Sequence, residues 1–196
     1  NNVYTQHDSF FNYRLLDSDY YALNNFPASI MWSLQKQSAS IVDNWTNITM
    51  ANMLDLDGSK GSVNALKVWN DGIYCFQDTG ISNILFNSRV QIPTSDNVPI
   101  EISNNYKVDG ERYISNNLGC KNKWSICVTE SGIYFIDSIS NSLYNLGNGM
   151  TDISSTHGFS HWFDEQLSQV DNTTSNQFYL EKTFYDKNRN DLYITL

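Results

Sequence analysis

Charge is scarce in this sequence: Asp, Glu, Lys and Arg make up 17% of its 196 residues, against about 25% in ordinary soluble domains. What charge there is leans acidic, with a formal net charge of −9 and a pI of about 4.6. Lys and Arg never form a run. Such a surface repels phosphate, which argues against tight nucleic-acid binding while allowing DNA to slide past. Cysteine occurs three times, at Cys75, Cys120 and Cys127, with no CxxC pair. Nothing in this count or spacing looks like a disulfide scaffold, and thiols in apolar runs are expected to be buried or inert. No apolar run reaches the ~20 residues that span a bilayer, and no signal peptide is present. GxSxG, P-loop and dinucleotide fingerprints are all missing.

Strand and turn formers are plentiful. Hydrophobic residues make up 40% and aromatics 14%; Tyr and Phe favour strands and build cores. Asn and Ser replace charge, as in Asn24-Asn25, Asn104-Asn105 and Asn116-Asn117, and both residue types populate turns. A mainly β chain of many short strands is expected. It begins Asn1-Asn2-Val3 and ends Thr195-Leu196 in a strand-like run, which reads as a piece of a longer polypeptide.

Residues 1–29 carry Tyr4, Phe10, Phe11, Tyr13, Tyr20, Tyr21 and Phe26 without a clean period; they are expected to form an extended aromatic lead-in. Residues 30–196 read as the β domain. A short strand is expected at Ile30–Ser33, with Gln35–Trp45 ambiguous and a turn at Asp55-Leu56-Asp57-Gly58-Ser59-Lys60-Gly61. Ala65–Trp69 and Ile73–Phe76 flank Asn70-Asp71-Gly72, a two-strand turn signal. Asp78-Thr79-Gly80 turns again into Asn83–Phe86.

The phrase then recurs. Trp124–Val128 reads as a strand, Glu130-Ser131-Gly132 as a turn, Ile133–Ile136 as the return and Asn141–Tyr144 as the next strand. Gly72-Ile73-Tyr74 and Gly132-Ile133-Tyr134 are identical. A third copy closes the chain: Phe135, Asp137, Asn141, Leu143 and Tyr144 match Phe184, Asp186, Asn190, Leu192 and Tyr193 without a gap. The turn residues Asp78, Asp137 and Asp186 lie 59 and 49 residues apart. Repeats of ~40–50 residues with several strands each are the mark of propeller blades. The expected fold is therefore an incomplete β-propeller-like set of antiparallel sheets, with a β-sandwich of unrelated hairpins as the alternative. Arg89–Lys123, with Pro93, Pro99 and Asp109-Gly110, is expected to form an excursion of loops and a hairpin between copies. One short helix is expected near 160–168, capped by Ser154, Ser155 or Ser160, with Asp164 and Glu165 in its first turn and a stripe of Phe159, Trp162, Phe163 and Leu167. Residues 171–177 read as a polar loop.

No constellation of catalytic residues emerges. His157 and His161 have zinc-helix spacing, but Gly158 stands where a metalloprotease needs Glu; packing or surface histidines are the simpler reading. Asp55-Leu56-Asp57-Gly58 and Asp186-Lys187-Asn188-Arg189-Asn190 hint at calcium loops, yet Asp191 stands at the required glycine of the second and turn chemistry explains both. Asp78-Thr79-Gly80-Ile81-Ser82 keeps part of the Asp-box turn of sialidase-like propellers, but Arg14, Arg89, Arg112 and Arg189 are too scattered for an arginine cluster. Glu101, Asp109, Glu111, Glu130, Asp164 and Glu165 show no pairing for glycoside hydrolysis. The sequons at Asn44, Asn47 and Asn172 are expected by chance in so Asn-rich a chain. No catalytic, cofactor-binding or metal residues are assigned, and no cofactor is expected.

Asp55–Gly58, Trp69–Ser82, Phe86–Pro93, Pro99–Ile102, Gly132–Asp137 and Gly158–Phe163 together resemble the tail nozzle or muzzle proteins of crAss-like, short-tailed bacteriophages. The resemblance spans about residues 30–196 and rests on phrasing, with no catalytic signature to carry over. It implies a structural virion component at the distal tail: a sixfold ring around the DNA-ejection channel, touching neighbouring tail ring or hub proteins, with DNA passing unbound. Those proteins are much longer, so the domain would be completed by another segment of the same polypeptide. Two other functions stay open: a propeller reading glycans through Trp32, Trp45, Trp69, Trp124 or Trp162, and a sialidase-like glycosidase.

Overall fold

The structure, a computed structural model, describes residues 25–34, 44–46, 48–49, 51–86, 89–92, 100–103, 108–167 and 181–196. Most of the aromatic lead-in, the segment 35–43, Pro93 and Pro99, and the loop 171–177 lie outside the described residues. The described chain is mainly β, with several antiparallel sheets, short helices and no closed barrel.

Two four-stranded antiparallel sheets form the centre. The first comprises β3 (Val63–Trp69), β4 (Gly72–Gln77), β5 (Ile81–Phe86) and β8 (Val108–Ser115), in the order β3-β4-β5-β8. The second is a sequential meander of β9 (Cys127–Val128), β10 (Ile133–Asp137), β11 (Ser142–Leu146) and β12 (Met150–Asp152). Three hairpin-like pairs complete the strands: β1 (Ser29–Met31) with β2 (Met53–Asp55), β6 (Arg89–Ile92) with β7 (Ile100–Ser103), and β13 (Lys182–Asp186) with β14 (Asp191–Thr195).

The excursion between the first two copies holds the expected hairpin, β6–β7, but it also returns β8 to the first sheet. Asp109-Gly110 is therefore strand and not turn: Gly110 opposes Leu85 beside a register shift. The strand expected over Trp124–Val128 is shorter. Asn122 caps a 3-10 turn at Lys123–Ser125 by accepting from Trp124 N, which leaves only Cys127 and Val128 to pair with β10.

Directly opposed residues of antiparallel strands share a face, so pairing and packing together assign the core side chains of the sheets. On the first sheet, Ile73, Cys75 and Ile84 pack against Ile30, Leu54 and Leu56 of the β1–β2 layer. Its other face, with Tyr74, Phe76 and Ile81, meets Ile133, Phe135, Tyr144 and Leu146 of the second sheet. The second sheet's far face, Tyr134, Ile136 and Leu143, packs against Phe163, Leu167, Ile194 and Leu196. Phe76 and Phe135 are both fully buried and meet edge-on at 5.3 Å. Each buried ring contributes roughly 2–3 kcal/mol, and the edge-to-face geometry about 1 kcal/mol more.

The two sheets stack as a serial repeat. Ile73 and Cys75 correspond to Ile133 and Phe135 sixty residues on, and Tyr74 and Phe76 to Tyr134 and Ile136. The back of the first sheet thus lies on the front of the second, and equivalent faces do not meet each other. This sets the structural register at sixty residues, one more than the spacing of Asp78 and Asp137. A one-residue slip reverses faces, and the two aspartates indeed work differently. Asp137 closes its own turn, with Oδ1 accepting from Ile139 N at 3.0 Å and Oδ2 from Ser140 Oγ at 2.9 Å. Asp78 reaches outward, accepting from Asn64 Nδ2 at 2.6 Å and Ser62 N at 3.3 Å.

The second and third copies keep step throughout. β10 and β11 shifted by 49 residues give the bounds of β13 and β14. Asp186 Oδ1 accepts from Asn188 N at 2.9 Å, as Asp137 does from Ile139 N. Asn141 and Asn190 close the two turns with φ of 48° and 58°, a left-handed conformation that Asn tolerates. The Asn70-Asp71 turn carries φ of 46° and 58° between the paired Trp69 and Gly72, as a two-residue hairpin turn requires.

The helical segment is split. Helix α1 (Ile153–Thr156) is capped by Asp152, whose side chain accepts from Ser155 N at 2.8 Å, and α2 spans Ser160–Leu167. None of the serines proposed as caps is needed for α1: Ser154 lies buried inside it, and its hydroxyl accepts from Leu143 N. Because α2 begins at Ser160, Asp164 and Glu165 fall beyond its first turn. Only Phe163 and Leu167 of the expected stripe are buried; Phe159 and Trp162 are exposed.

Candidate functional site

The motifs singled out in the sequence resolve into structural work. In the Asp55–Gly61 loop, Asp57 Oδ1 caps the 3-10 turn Gly58–Lys60 by accepting from Ser59 N at 2.9 Å. These bonds to Ser59 hold the Asp57 carboxyl below its usual range. Asp55 Oδ1 accepts from Ser29 Oγ, tying β2 to β1. Asp186 is occupied by the β13–β14 turn. His157 ends α1, with Nδ1 at 3.1 Å from Ile153 O, while His161 belongs to α2; Gly158, at φ 75°, separates them. Among the described residues, no group of three His, Cys, Asp or Glu side chains is placed to hold a metal ion.

The carboxylates are dispersed as well. Glu130 pairs with Lys187 at 3.5 Å on the surface, and Asp164 accepts from Asn141 Nδ2 at 3.0 Å. Arg112 lies on β8 and Arg189 in the β13–β14 turn, each exposed. Asp78, the core of the Asp-box-like turn, is spent on Ser62 and Asn64. Trp69 packs beside Tyr74 with ring centroids 6.3 Å apart, whereas Trp45, Trp124 and Trp162 stand exposed on three different elements.

A polar seam joins the turn loops to the sheets. Gln77 is fully buried: Nε2 donates to Asp57 O and Gly61 O, and Oε1 accepts from Tyr113 OH at 2.7 Å. Gly61 and Gly119 permit this packing. A Cβ on Gly119 would stand 2.4 Å from Gln77 O, and one on Gly61 2.2 Å from Asp78 Oδ2.

A second buried group gathers Cys120, Asn122, Ser125, Asp137 and Glu181. Cys120 Sγ lies 3.0 Å from Ser125 Oγ and 3.2 Å from Asn122 O, and burial pushes the thiol up to about 12. Burial likewise lifts Cys75 to about 11 and raises Cys127, which is half-buried and not buried as the sequence implied. Asn122 Nδ2 donates to the Glu181 backbone carbonyl. Glu181 is 1% exposed, and among the described residues neither carboxylate oxygen meets hydrogen-bond geometry with a partner. Burial raises the pKa of Glu181 and of Asp137. Sequence reasoning missed Glu181, yet the 49-residue register places it where the second copy has Gly132.

The remaining feature is an uncovered aromatic pair. Phe184 and Tyr193 oppose each other on β13–β14 with ring centroids 6.4 Å apart, and they are 65% and 47% exposed. Trp124, also exposed, adjoins the hairpin through the Thr183 hydroxyl, which donates to Trp124 O. No helix among the described residues is long and apolar enough to cross a membrane. The geometry offers apolar contact surface and a set of internally satisfied turns.

A muzzle protein of Bacteroides phage crAss001 is 49% identical over 195 residues; the match takes in all of this chain and 14% of that relative's length. The family described as Crassvirus muzzle protein matches residues 1–196, the whole of the chain. The chain therefore belongs to the Crassvirus muzzle protein family.

Proposed function

We propose that the chain is a structural part of a phage virion, one segment of a ring-shaped tail nozzle around the DNA-ejection channel. The observation that carries this reading is the family match over all 196 residues. Stacked sheets with self-contained turns suit a load-bearing wall, and the net charge of −9 suits a surface that DNA passes without sticking. In the finer reading the ring is sixfold, sits at the distal tail and abuts neighbouring ring or hub proteins. Residues 30–196 act as a propeller-like unit completed by another segment of the same polypeptide, and the chain has no catalytic role.

Quantitative mass spectrometry of purified virions tests this directly. Peptides of this chain are expected in stoichiometric amount with the other tail proteins, at a sixfold copy number. Their absence from washed particles would overturn the virion reading; a copy number incompatible with sixfold symmetry would overturn the ring.

A further inference from the structure

We propose that the outward face of the β13–β14 hairpin, centred on Phe184 and Tyr193, docks one more antiparallel sheet, supplied by a segment of the longer polypeptide outside these 196 residues. The proposal rests on the reading of the chain as one segment of a longer structural polypeptide and names the surface where that polypeptide continues.

The preceding hairpin supplies an internal precedent. Phe135 and Tyr144 oppose each other on β10–β11, stacked at 5.6 Å, as Phe184 and Tyr193 do 49 residues on. The two hairpins share their strand bounds, their turn length, the aspartate that accepts from the residue two places on, and the left-handed Asn. They differ beside the rings, where Lys182 and Thr195 stand in the places of Ile133 and Leu146, and in what lies above them. Phe135 is fully buried because the Tyr74, Phe76 and Ile81 face of the preceding sheet covers it, with Phe76 edge-on. Among the described residues Phe184 has no such cover, and it is 65% exposed. The hairpin's inner face is already engaged, since Ile194 packs on the second sheet. The rings therefore mark a second, free side of a two-sided element.

The precedent also states what the occupant looks like. It is the back face of an antiparallel sheet, presenting an aromatic ring flanked by aliphatic residues at alternating positions, as Phe76 and Ile81 do. A second copy of this chain has no such face to offer among its described residues. Tyr74, Phe76 and Ile81 are enclosed between the two sheets, and their counterparts Tyr134, Ile136 and Leu143 are enclosed by α2 and the chain's last residues. The longer polypeptide has ample material, because these residues span only 14% of the length of the crAss001 relative.

The test uses the longer polypeptide with the photo-reactive benzoylphenylalanine at Phe184, and at exposed Ile139 as the control site. After irradiation, the expected product runs as a single polypeptide whose adduct maps to an apolar strand peptide outside residues 1–196. An adduct at doubled mass, one confined to residues 1–196, or a yield no higher than at Ile139 would each overturn the proposal. A second variant, Phe184→Ser, is read by native-state proteolysis, which follows the open population. Cleavage at Lys182 and Lys187 is expected to accelerate about tenfold, the effect of losing a docking anchor; an unchanged rate overturns the proposal. Both readouts use the purified polypeptide. An internal adduct in a protein absent from virions would sink the virion reading alone, and a virion protein without the adduct would sink the docking alone.

Discussion

The β10–β11 and β13–β14 hairpins carry the same turn chemistry and the same cross-strand aromatic pair, yet one pair is sealed in the core and the other faces outward. Local sequence sets strand length, turn type and register, because Asp, Asn and the opposed rings act within one hairpin. Burial is set by the neighbour. Phe135 belongs to the core because Phe76 lies on it and Ile133 and Leu146 flank it, whereas Lys182 and Thr195 hold those places beside Phe184.

Truncating the two rings breaks the comparison most sharply. Phe135→Ala is expected to destabilise the chain by about 3–5 kcal/mol, the loss of a buried ring plus the cavity left behind. Phe184→Ala is expected to change the stability of the 196-residue chain by less than about 0.5 kcal/mol, as for an exposed position. Urea denaturation of both variants measures the difference; equal losses would mean that the hairpin faces are not what separates the copies.

The turn aspartates give a smaller contrast. Asp137 is buried and accepts two hydrogen bonds, so Asp137→Ala is expected to cost about 2 kcal/mol, and Asp186→Ala, in an exposed turn, under about 1 kcal/mol. Denaturation midpoints rank them, and a reversed order would contradict the assignment of Asp137 as the interior turn.

Gly132 and Glu181 hold the same place in the two copies, and pH separates them. Burial raises the Glu181 pKa, so the folded chain holds this proton more firmly than the unfolded chain does. Its contribution to stability is therefore undiminished in acid and declines as pH rises from the ordinary carboxylate range through the raised value. Asp137 acts in the same direction. Glu181→Gln is expected to flatten this decline, leaving the variant closer to or above the parent near neutral pH than in acid. Stability measured from pH 4 to pH 8 checks it, and parallel curves for parent and variant would refute it. The smallest effect belongs to the left-handed turn residue: Asn190→Gly relieves φ of 58° but loses the bond from Tyr185 OH, for a net change below about 0.5 kcal/mol by thermal unfolding.

Much of this architecture was legible in the sequence, for reasons that these pairs make plain. The hairpins at Asn70-Asp71, Asp137–Asn141 and Asp186–Asn190 announced themselves because turn signals are local. The 49-residue match was an exact guide to strand bounds. The spacing of Asp78 and Asp137 was one residue off the true register, because Asp78 serves a loop sixteen residues upstream and not its own turn. β8 was hidden because strand pairing across an excursion leaves no local trace; α2 falls where the sequence placed a helix, while α1 was missed because its cap, Asp152, stands at the end of a strand. At the site, the burial of Cys75 could be read from its apolar run, whereas Cys120 is buried from a polar stretch and Cys127, in an apolar run, is only half-buried. Glu181 and the bare face of Phe184 could not, since both depend on which elements pack around them.

The measurement closest to the central claim is a side-chain-resolution reconstruction of the tail in purified virions. The expected density places these residues within the tail nozzle, with the two four-stranded sheets stacked through Phe76 and Phe135 and a further sheet of the same polypeptide over Phe184 and Tyr193. A particle lacking this density, or one in which that ring pair faces solvent, would contradict it.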